Sequence, residues 1–278
     1  MFTLLNFLLL VLAGFIAFTL CSNVLYWYET LNNPDERIPS PRPGIFSCLR
    51  QFAVTFAGYA LCVGLFPFGA VLRRKPAPAG KSGNPGLPPV ILLHGLNNNA
   101  AVWLYLARVL TKAGYSVSTC SYSSLFVPLD RIMRKLDEHV RTVESFAGGR
   151  KPVLICHSLG GIFARNWLRE PGNGERASGV ITLGTPHGGS KLASLAPGAL
   201  AKNITPGAAL IAALREAPPL TGVACVSLVS PTDEAVLPAS GLVPPDGWKL
   251  RLTHEIGHFS MLFSPSVAGM VLEELRTM

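Results

Sequence analysis

The stretch Val153-Leu-Ile-Cys-His-Ser158-Leu-Gly-Gly161 has four apolar residues, then a histidine and a serine, and ends in two glycines. The apolar residues predict a buried strand, and the pattern after them predicts a helix over about 159–170. Ser158 therefore lies on a sharp turn between a strand and a helix. A nucleophile elbow has this arrangement and needs small residues two positions before and after its serine. Gly160 meets that need, whereas Cys156 replaces the usual first glycine; the alternative is an ordinary strand-to-helix turn.

Short apolar runs alternate with longer helical patterns throughout residues 89–278. Most of the runs are expected to be buried on both faces, which is typical of parallel strands. One helix between them has an apolar stripe, with Asp130 as its expected N-cap. The sequence therefore predicts an α/β fold, with a mostly parallel central sheet and helices on both faces. The predicted strands are 90–93, 115–120, 153–156, 180–183, 223–229 and 249–252, and the predicted helices are about 100–113, 130–147, 159–170 and 265–278.

Composition limits the classes of protein to which the chain can belong. Of its 278 residues 49% are apolar and 14% charged, against about 25% charged in a typical soluble domain, which excludes disorder and favours membrane contact. The net charge of +8 comes from scattered Lys and Arg, which fits an anionic membrane surface better than nucleic acid. The six cysteines form no C-x-x-C pair, so we expect free, buried thiols and neither a zinc site nor a disulfide framework.

An uncharged run at 2–28 is long enough to cross the hydrocarbon core of a bilayer, which takes roughly 20 helical residues. It ends in Tyr26, Trp27 and Tyr28, aromatic side chains that favour the headgroup region. A signal peptide is the alternative, although no Lys or Arg precedes the run and no A-x-A site follows it. A second uncharged run, 51–72, predicts another span, the alternative being a buried core helix.

Together the two runs predict an N-terminal membrane hairpin over residues 1–75, and therefore an integral membrane protein. The Pro- and Gly-rich segment 76–88 is predicted to be a linker, and 89–278 an α/β domain. The basic cluster after the second run is tighter than the one between the runs, which favours a cytoplasmic C-terminal domain. The residues after the second run are Arg73, Arg74, Lys75 and Lys81, and those between the runs are Arg37, Arg42 and Arg50.

Several motifs after residue 88 resemble those of the α/β-hydrolase superfamily, in particular its small bacterial lipases and esterases. The segment 156–161 is similar to the nucleophile elbow of that family, and Val90-Ile-Leu-Leu-His-Gly-Leu96 to its strand that ends in His-Gly. The resemblance implies an α/β-hydrolase fold, a serine ester hydrolase, and an oxyanion hole formed by the backbone N–H groups of Leu96 and Leu159. Further segments that match in the family's order are Thr182–Ser190, Ser227–Pro238 and Glu255–Leu262.

A serine hydroxyl is a weak nucleophile at neutral pH. It needs an imidazole to accept its proton and a carboxylate to orient that imidazole. In this superfamily the chain order is serine, acid, histidine. Asp233 follows the apolar run 223–229 at the end of a predicted strand, and Glu234 is its competitor for the acid. His258 is favoured over His254, which lies nearer the last predicted strand. The expected catalytic residues are therefore Ser158, Asp233 and His258.

The remaining candidate side chains have structural interpretations. His94 and His157 lie beside the oxyanion loop and the elbow and are expected to be structural, while His139 lies on an amphipathic helix and is expected to be solvated. His187 precedes the acid and so does not fit the chain order, and Asp246 lies in a Pro-Pro-Asp-Gly turn. No metal or organic cofactor is expected.

Residues 190–220 have few charges and many small apolar side chains. They are open to two interpretations: a lid or acyl-chain wall suited to lipid-like substrates, or surface helices and turns packed over the sheet. The favoured function is a membrane-anchored carboxylester hydrolase acting on lipid-like acyl esters. A thioesterase, amidase or acyltransferase with the same triad stays open, as does a catalytically silent membrane interaction module, because a fold alone does not determine function. No oligomeric state is predicted.

Overall fold

The computed structural model describes residues 3–77, 83–125 and 127–278, so Phe2 of the first predicted span and linker residues 78–82 lie outside the described part. A six-stranded sheet in the order β2-β1-β3-β4-β5-β6 forms its centre, and every pair of neighbouring strands is parallel. The predicted α/β fold class is confirmed. The strands are β1 Val90–Leu93, β2 Val117–Cys120, β3 Val153–His157, β4 Gly179–Leu183, β5 Ala224–Val229 and β6 Lys249–Leu252.

Helices connect the strands from β1 to β5, as is usual for parallel pairing, and a segment with a short 3-10 turn, Ala239–Leu242, connects β5 to β6. Two long helices, α1 Leu4–Asn32 and α2 Ile45–Leu65, precede the sheet. The helices that follow are α3 Leu104–Lys112, α4 Leu129–Phe146, α5 Leu159–Arg169, α6 Ala199–Lys202, α7 Ala209–Arg215 and α8 Pro265–Leu275.

Both faces of the sheet are covered at its centre, which explains why β1 is apolar and buried at every position. Alternate residues of β1 point to opposite faces: Val90 and Leu92 pack in the cluster that contains side chains of α3 and α8. Ile91 and Leu93 pack on the other face with side chains of α4 and α5. This two-sided core fixes the carboxyl ends of β3, β4 and β5 at one edge, where ligands bind in open α/β sheets.

Two expectations for α4 are wrong. The helix begins at Leu129 with Pro128 in the N-cap position, so Asp130 lies inside the first turn, where it pairs with Arg134 at 2.9 Å. A carboxylate in the first turn still complements the helix dipole. His139 is half-buried rather than solvated, because its Nε2 forms a 2.9 Å hydrogen bond with Ser118 Oγ of β2.

The two N-terminal helices pack against each other, with the rings of Phe15 and Phe56 5.0 Å apart. By length and composition both are apolar enough to cross a membrane, with a mean hydropathy of 2.0 over Leu9–Asn32 and 1.5 over Ile45–Phe68. Four polar residues of α1 are buried, whereas many of its apolar residues are exposed. Cys21, expected to be a buried thiol, is also exposed. The buried polar residues are Thr19, Ser22, Asn23 and Glu29, and the exposed apolar ones include Leu9, Leu10, Val11, Leu12, Leu20 and Val24.

The second helix occupies 45–65, six residues earlier than the predicted start of the span at 51. Arg50 does not bound this helix but lies within it, and its guanidinium is paired with Glu255 of the α/β part. Pro67 lies in the short 3-10 turn that follows, where a proline cannot continue the α-helical hydrogen bonds. One face of α2 is buried, namely Gln51, Thr55, Gly58, Tyr59 and Cys62.

Candidate active site

Ser158 occupies the turn between β3 and α5 with a backbone φ of 52°, a conformation that non-glycine residues rarely adopt. Its N–H donates to the carbonyl of Leu183 at 2.9 Å, and its own carbonyl accepts from Thr185 Oγ1 at 2.9 Å. These bonds to and beyond β4 hold the strained turn in place. The side chain is 9% exposed, so its hydroxyl is held at the carboxyl edge of the sheet with limited access to solvent.

The turn is tight because small residues surround it. A Cβ atom added at Gly160 would lie 2.5 Å from the carbonyl oxygen of Leu93, so only glycine permits this approach of α5 to β1. A Cβ added at Gly95 would lie 2.9 Å from Ser158 Cβ, which places the loop after β1 directly beside the serine. Cys156, where the usual elbow has glycine, is fully buried in the core cluster.

His258 and Asp233 are directly hydrogen bonded. Nδ1 of the imidazole lies 2.7 Å from Asp233 Oδ2, and both side chains are almost completely buried. The other carboxylate oxygen, Oδ1, accepts the backbone N–H groups of Ala235 and Val236, each at 3.0 Å. Burial lowers the pKa of His258, but the charge and hydrogen bond of Asp233 outweigh it and raise the pKa above its ordinary value.

Glu234, the competitor for the acid, contacts the same histidine differently. Its Oε2 accepts the backbone N–H of His258 at 3.0 Å and makes no contact with the imidazole nitrogen that Asp233 binds. Burial, followed by the charge of Asp233, raises the pKa of Glu234 to about 7. Its Oε1 is buried without a partner among the described residues.

Ser158 and His258 line the same cavity, which has a volume of about 640 Å³. Their side chains are not joined by a direct hydrogen bond within the part of the chain that the structure describes. Catalytic hydrogen bonds are often long before substrate binds and shorten only in the complex. The sheet thus brings the three predicted side chains to one edge, with the imidazole bonded to the aspartate and sharing a cavity with the serine.

Leu96 and Leu159, the predicted oxyanion donors, flank the serine. Leu159 is the first residue of α5, where a helix leaves its backbone N–H groups without intrahelical partners. Leu96 follows Gly95 and lines the cavity. Asn97, the next residue, has a φ of 53°, and its N–H donates to Ser124 Oγ at 2.7 Å. These contacts fix the loop beside the serine.

His94 and His157 are held by structural contacts. Nδ1 of His94 contacts the carbonyl of Gly95 at 2.9 Å, its ring stacks on Tyr122, and burial lowers its pKa to about 4. His157 Nε2 bonds the carbonyl of His258 at 3.1 Å, which ties the histidine loop to the elbow. Burial, followed by the charge of His258, lowers the pKa of His157 well below its ordinary value.

The other candidates lie away from the serine. His187 is buried and bonds Arg165 and Ser227, and burial lowers its pKa well below the ordinary value. His254 and Asp246 are exposed. Residues 190–204 lie beside the cavity and line it through Leu192, Ala193, Leu195, Ala196, Pro197 and Ile204, which fits the wall interpretation of this segment.

One contribution to the cavity was not anticipated from the sequence. Side chains of α1 and α2 line the cavity. In the sequence, these side chains look the same as the lipid-facing residues of the same uncharged runs. Their position depends on how the helices dock on the α/β part, which no local pattern encodes. The lining residues from this region are Phe18, Cys21, Ser22, Leu25, Tyr59, Cys62, Val63, Phe66 and Pro67.

Comparison with known proteins finds similar structures but no similar sequences. No family model matches the sequence, and no curated protein matches it. Among solved structures, the mature form of Bacillus licheniformis lipase BlEst2 aligns with a TM-score of 0.58 at 20% identity, covering 72% of this chain and 96% of that chain. Aspergillus fumigatus lipase B aligns with a TM-score of 0.62 at 16% identity, covering 74% of this chain and 56% of that chain.

The propeptide form of the Bacillus lipase gives a TM-score of 0.60 at 23% identity, covering 73% of this chain and 53% of that chain. These likenesses, with the parallel sheet and the strained turn after β3, confirm the α/β-hydrolase fold that the sequence motifs implied. At such identities they show the fold and leave the reaction to the residues of the site.

Proposed function

We propose that this protein is a membrane-associated serine carboxylester hydrolase that cleaves lipid-like acyl esters through an acyl-enzyme on Ser158. The observation that carries the proposal is the 2.7 Å bond between His258 Nδ1 and Asp233 Oδ2, in a cavity that the elbow serine also lines. That bond fixes the tautomer in which Nε2 is the free base.

In this mechanism His258 Nε2 accepts the proton of Ser158 Oγ as the oxygen attacks the ester carbonyl. Asp233 stabilises the resulting imidazolium. The N–H groups of Leu96 and Leu159 receive the negative charge that develops on the carbonyl oxygen, and loss of one such donor costs about 2.7–4 kcal/mol of barrier. The imidazolium then protonates the alcohol that leaves, and a water molecule deprotonated by the same imidazole hydrolyses the acyl-enzyme.

The N-terminal helices support the membrane part of the proposal. They form a pair with many exposed apolar side chains, such as Leu10 (64% exposed) and Phe46 (84% exposed). A contiguous exposed apolar surface of this kind is typical of membrane contact. We propose that the protein is an integral membrane protein. The basic cluster after α2 supports a cytoplasmic position for residues 89–278.

Kinetics with a panel of p-nitrophenyl esters test the reaction. The full-length protein in detergent should hydrolyse them. Ser158→Ala should lose at least 10³-fold in kcat, as expected for removal of a triad nucleophile. Ser145→Ala, which removes an exposed serine on α4, should match the wild type. Turnover of thioesters or amides but not of esters would show that the substrate is a thioester or an amide rather than a carboxylester. A folded wild-type protein inactive on all three would favour the silent module.

A further inference from the structure

The two N-terminal helices form one wall of the active-site cavity. Phe18, Cys21 and Leu25 of α1 lie on this wall, together with Tyr59 and Val63 of α2. The segment 190–204 described above also lines the cavity. The cavity of about 640 Å³ is within the range of small-molecule sites, about 300–1,000 Å³, so the helices enclose a ligand-sized space.

The helices are docked on the α/β part by specific contacts around the histidine loop. Ser260 Oγ donates to the carbonyl of Val54 at 2.6 Å, and the rings of Tyr59 and Phe259 are 5.0 Å apart. A Cβ added at Gly58 would lie 2.8 Å from the backbone nitrogen of Ser260. The wall that α2 contributes is therefore in close contact with the loop that carries His258.

Contacts farther along the helices hold them at other points. Tyr26 Oη donates to the carbonyl of Pro231 at 2.8 Å, and Lys191 pairs with Glu29 at 2.8 Å. After α2, Asn99 Nδ2 donates to the carbonyl of Phe66 at 2.8 Å. Polar contacts at both ends of the wall give the helices one defined position beside the cavity.

The cavity changes from polar to apolar between its reaction centre and its mouth. Ser158 and His258 stand at the inner end, whereas residues at the rim are apolar and exposed: Phe18 (59%), Val63 (63%) and Leu195 (75%). An acyl ester likewise has a polar end, the ester carbonyl, followed by an apolar hydrocarbon chain. Phe18 belongs to α1 and Val63 to α2, the two helices with exposed apolar side chains. The mouth of the cavity therefore opens beside the surface that we expect in the bilayer.

We propose that α1 and α2 form the acyl-chain wall of the active site, so that the chain of a membrane lipid ester enters from the bilayer, between these helices and residues 190–204. This inference rests on the proposed function and assigns its substrate class, lipid esters with long acyl chains. The helices then act in substrate binding as well as in membrane attachment.

Matched tryptophan substitutions test the wall in the full-length protein. Leu25→Trp and Val63→Trp fill the cavity, whereas Val24→Trp and Leu61→Trp alter neighbouring side chains that are 64% and 46% exposed. The ratio of kcat/KM for p-nitrophenyl palmitate to that for p-nitrophenyl acetate should fall at least tenfold in the first pair. It should stay within about twofold of wild type in the second pair. The same ratio in both pairs would overturn the inference.

If the proposed function is wrong, none of these proteins should hydrolyse the acetyl ester. A diazirine-bearing palmitic acid then tests the wall without catalysis. It should crosslink to residues 192–197 in the wild type and in Val24→Trp, with at least a fivefold loss in Leu25→Trp. Equal crosslinking in Val24→Trp and Leu25→Trp would refute the acyl-chain wall whatever the reaction.

Discussion

Asp233 and Glu234 are adjacent buried carboxyl groups, but they contact different atoms of His258. Asp233 bonds the imidazole, whereas Glu234 bonds the backbone N–H of the same residue. Only the first contact determines which ring nitrogen carries the proton. The acid of the proposed triad is therefore Asp233, and Glu234 supports the backbone of the histidine loop.

Substitution of Asp233 by Asn should lower kcat by about 10⁴, because an amide favours the wrong imidazole tautomer. Asp246→Asn, which alters an exposed carboxylate in a turn, should retain wild-type kcat. Steady-state hydrolysis of a p-nitrophenyl ester measures both. A larger loss in Glu234→Gln than in Asp233→Asn would transfer the role of the acid to Glu234.

The raised pKa of Glu234 predicts a pH-dependent stability. Because its pKa is about 7 in the fold and near 4.5 in the unfolded chain, the native state binds more protons between these values. The free energy of unfolding should therefore fall as pH rises from about 4.5 to 7, on the order of 2 kcal/mol for this group.

Thermal denaturation in detergent at pH 5 and pH 7.5 measures this effect. The decrease in melting temperature between the two pH values should be smaller in Glu234→Gln than in the wild type. His258, whose pKa is also raised, contributes stability that is lost in the same direction, so part of the decrease should remain. A decrease of unchanged size in Glu234→Gln would contradict the assignment of a raised pKa to Glu234.

At the scale of elements, α2 and the histidine loop are packed too closely at Gly58 to admit a side chain. Gly58→Ala should shift the loop, lower kcat and destabilise the fold by about 1–3 kcal/mol, the usual cost of overpacking. Gly64→Ala in the same helix is the control, because a Cβ there meets nothing within 4 Å. Kinetics and melting temperature should separate the two; equal effects would mean that α2 does not position the loop.

Most elements of the α/β part could be predicted because burial on both faces leaves a local pattern. Strands β1 and β3 coincide with uninterrupted apolar runs, and α4 coincides with its apolar stripe of Ile132, Leu136, Val140 and Val143. The bounds of α2 could not be predicted in this way. Arg50 resembles the end of a span until its distant partner Glu255 is known.

For the site, chain order and strand ends were enough to select Asp233 and His258, and the bond between them agrees with that choice. The burial of His139 was missed because it depends on Ser118, which lies on a neighbouring strand rather than on the same helix. Sequence patterns report the environment within one element, and contacts between elements need the assembled fold.

At the scale of the whole molecule, the basic cluster after α2 is fixed to the α/β part. The backbone N–H of Arg74 donates to Thr119 Oγ1 of β2 at 2.9 Å, and the N–H of Thr119 donates to the carbonyl of Arg74 at 2.9 Å. In the proposed membrane topology, residues 89–278 are therefore on the side that this cluster selects. Basic residues next to a membrane segment favour the cytoplasmic side.

Protease protection measures this orientation. Protease added to the outer face of intact cells should leave a C-terminal epitope tag intact, and permeabilised cells should lose it. Digestion of the tag in intact cells would place residues 89–278 on the outer side and contradict the proposed location.

Covalent labelling of the serine tests the proposed reaction most directly. A fluorophosphonate should attach one phosphonyl group per chain to the peptide that contains Ser158, as mapped by mass spectrometry, and Ser158→Ala should remain unlabelled. A correctly folded wild-type protein that takes up no label, or a label that persists in Ser158→Ala, would show that the residue on the turn after β3 is not an activated nucleophile.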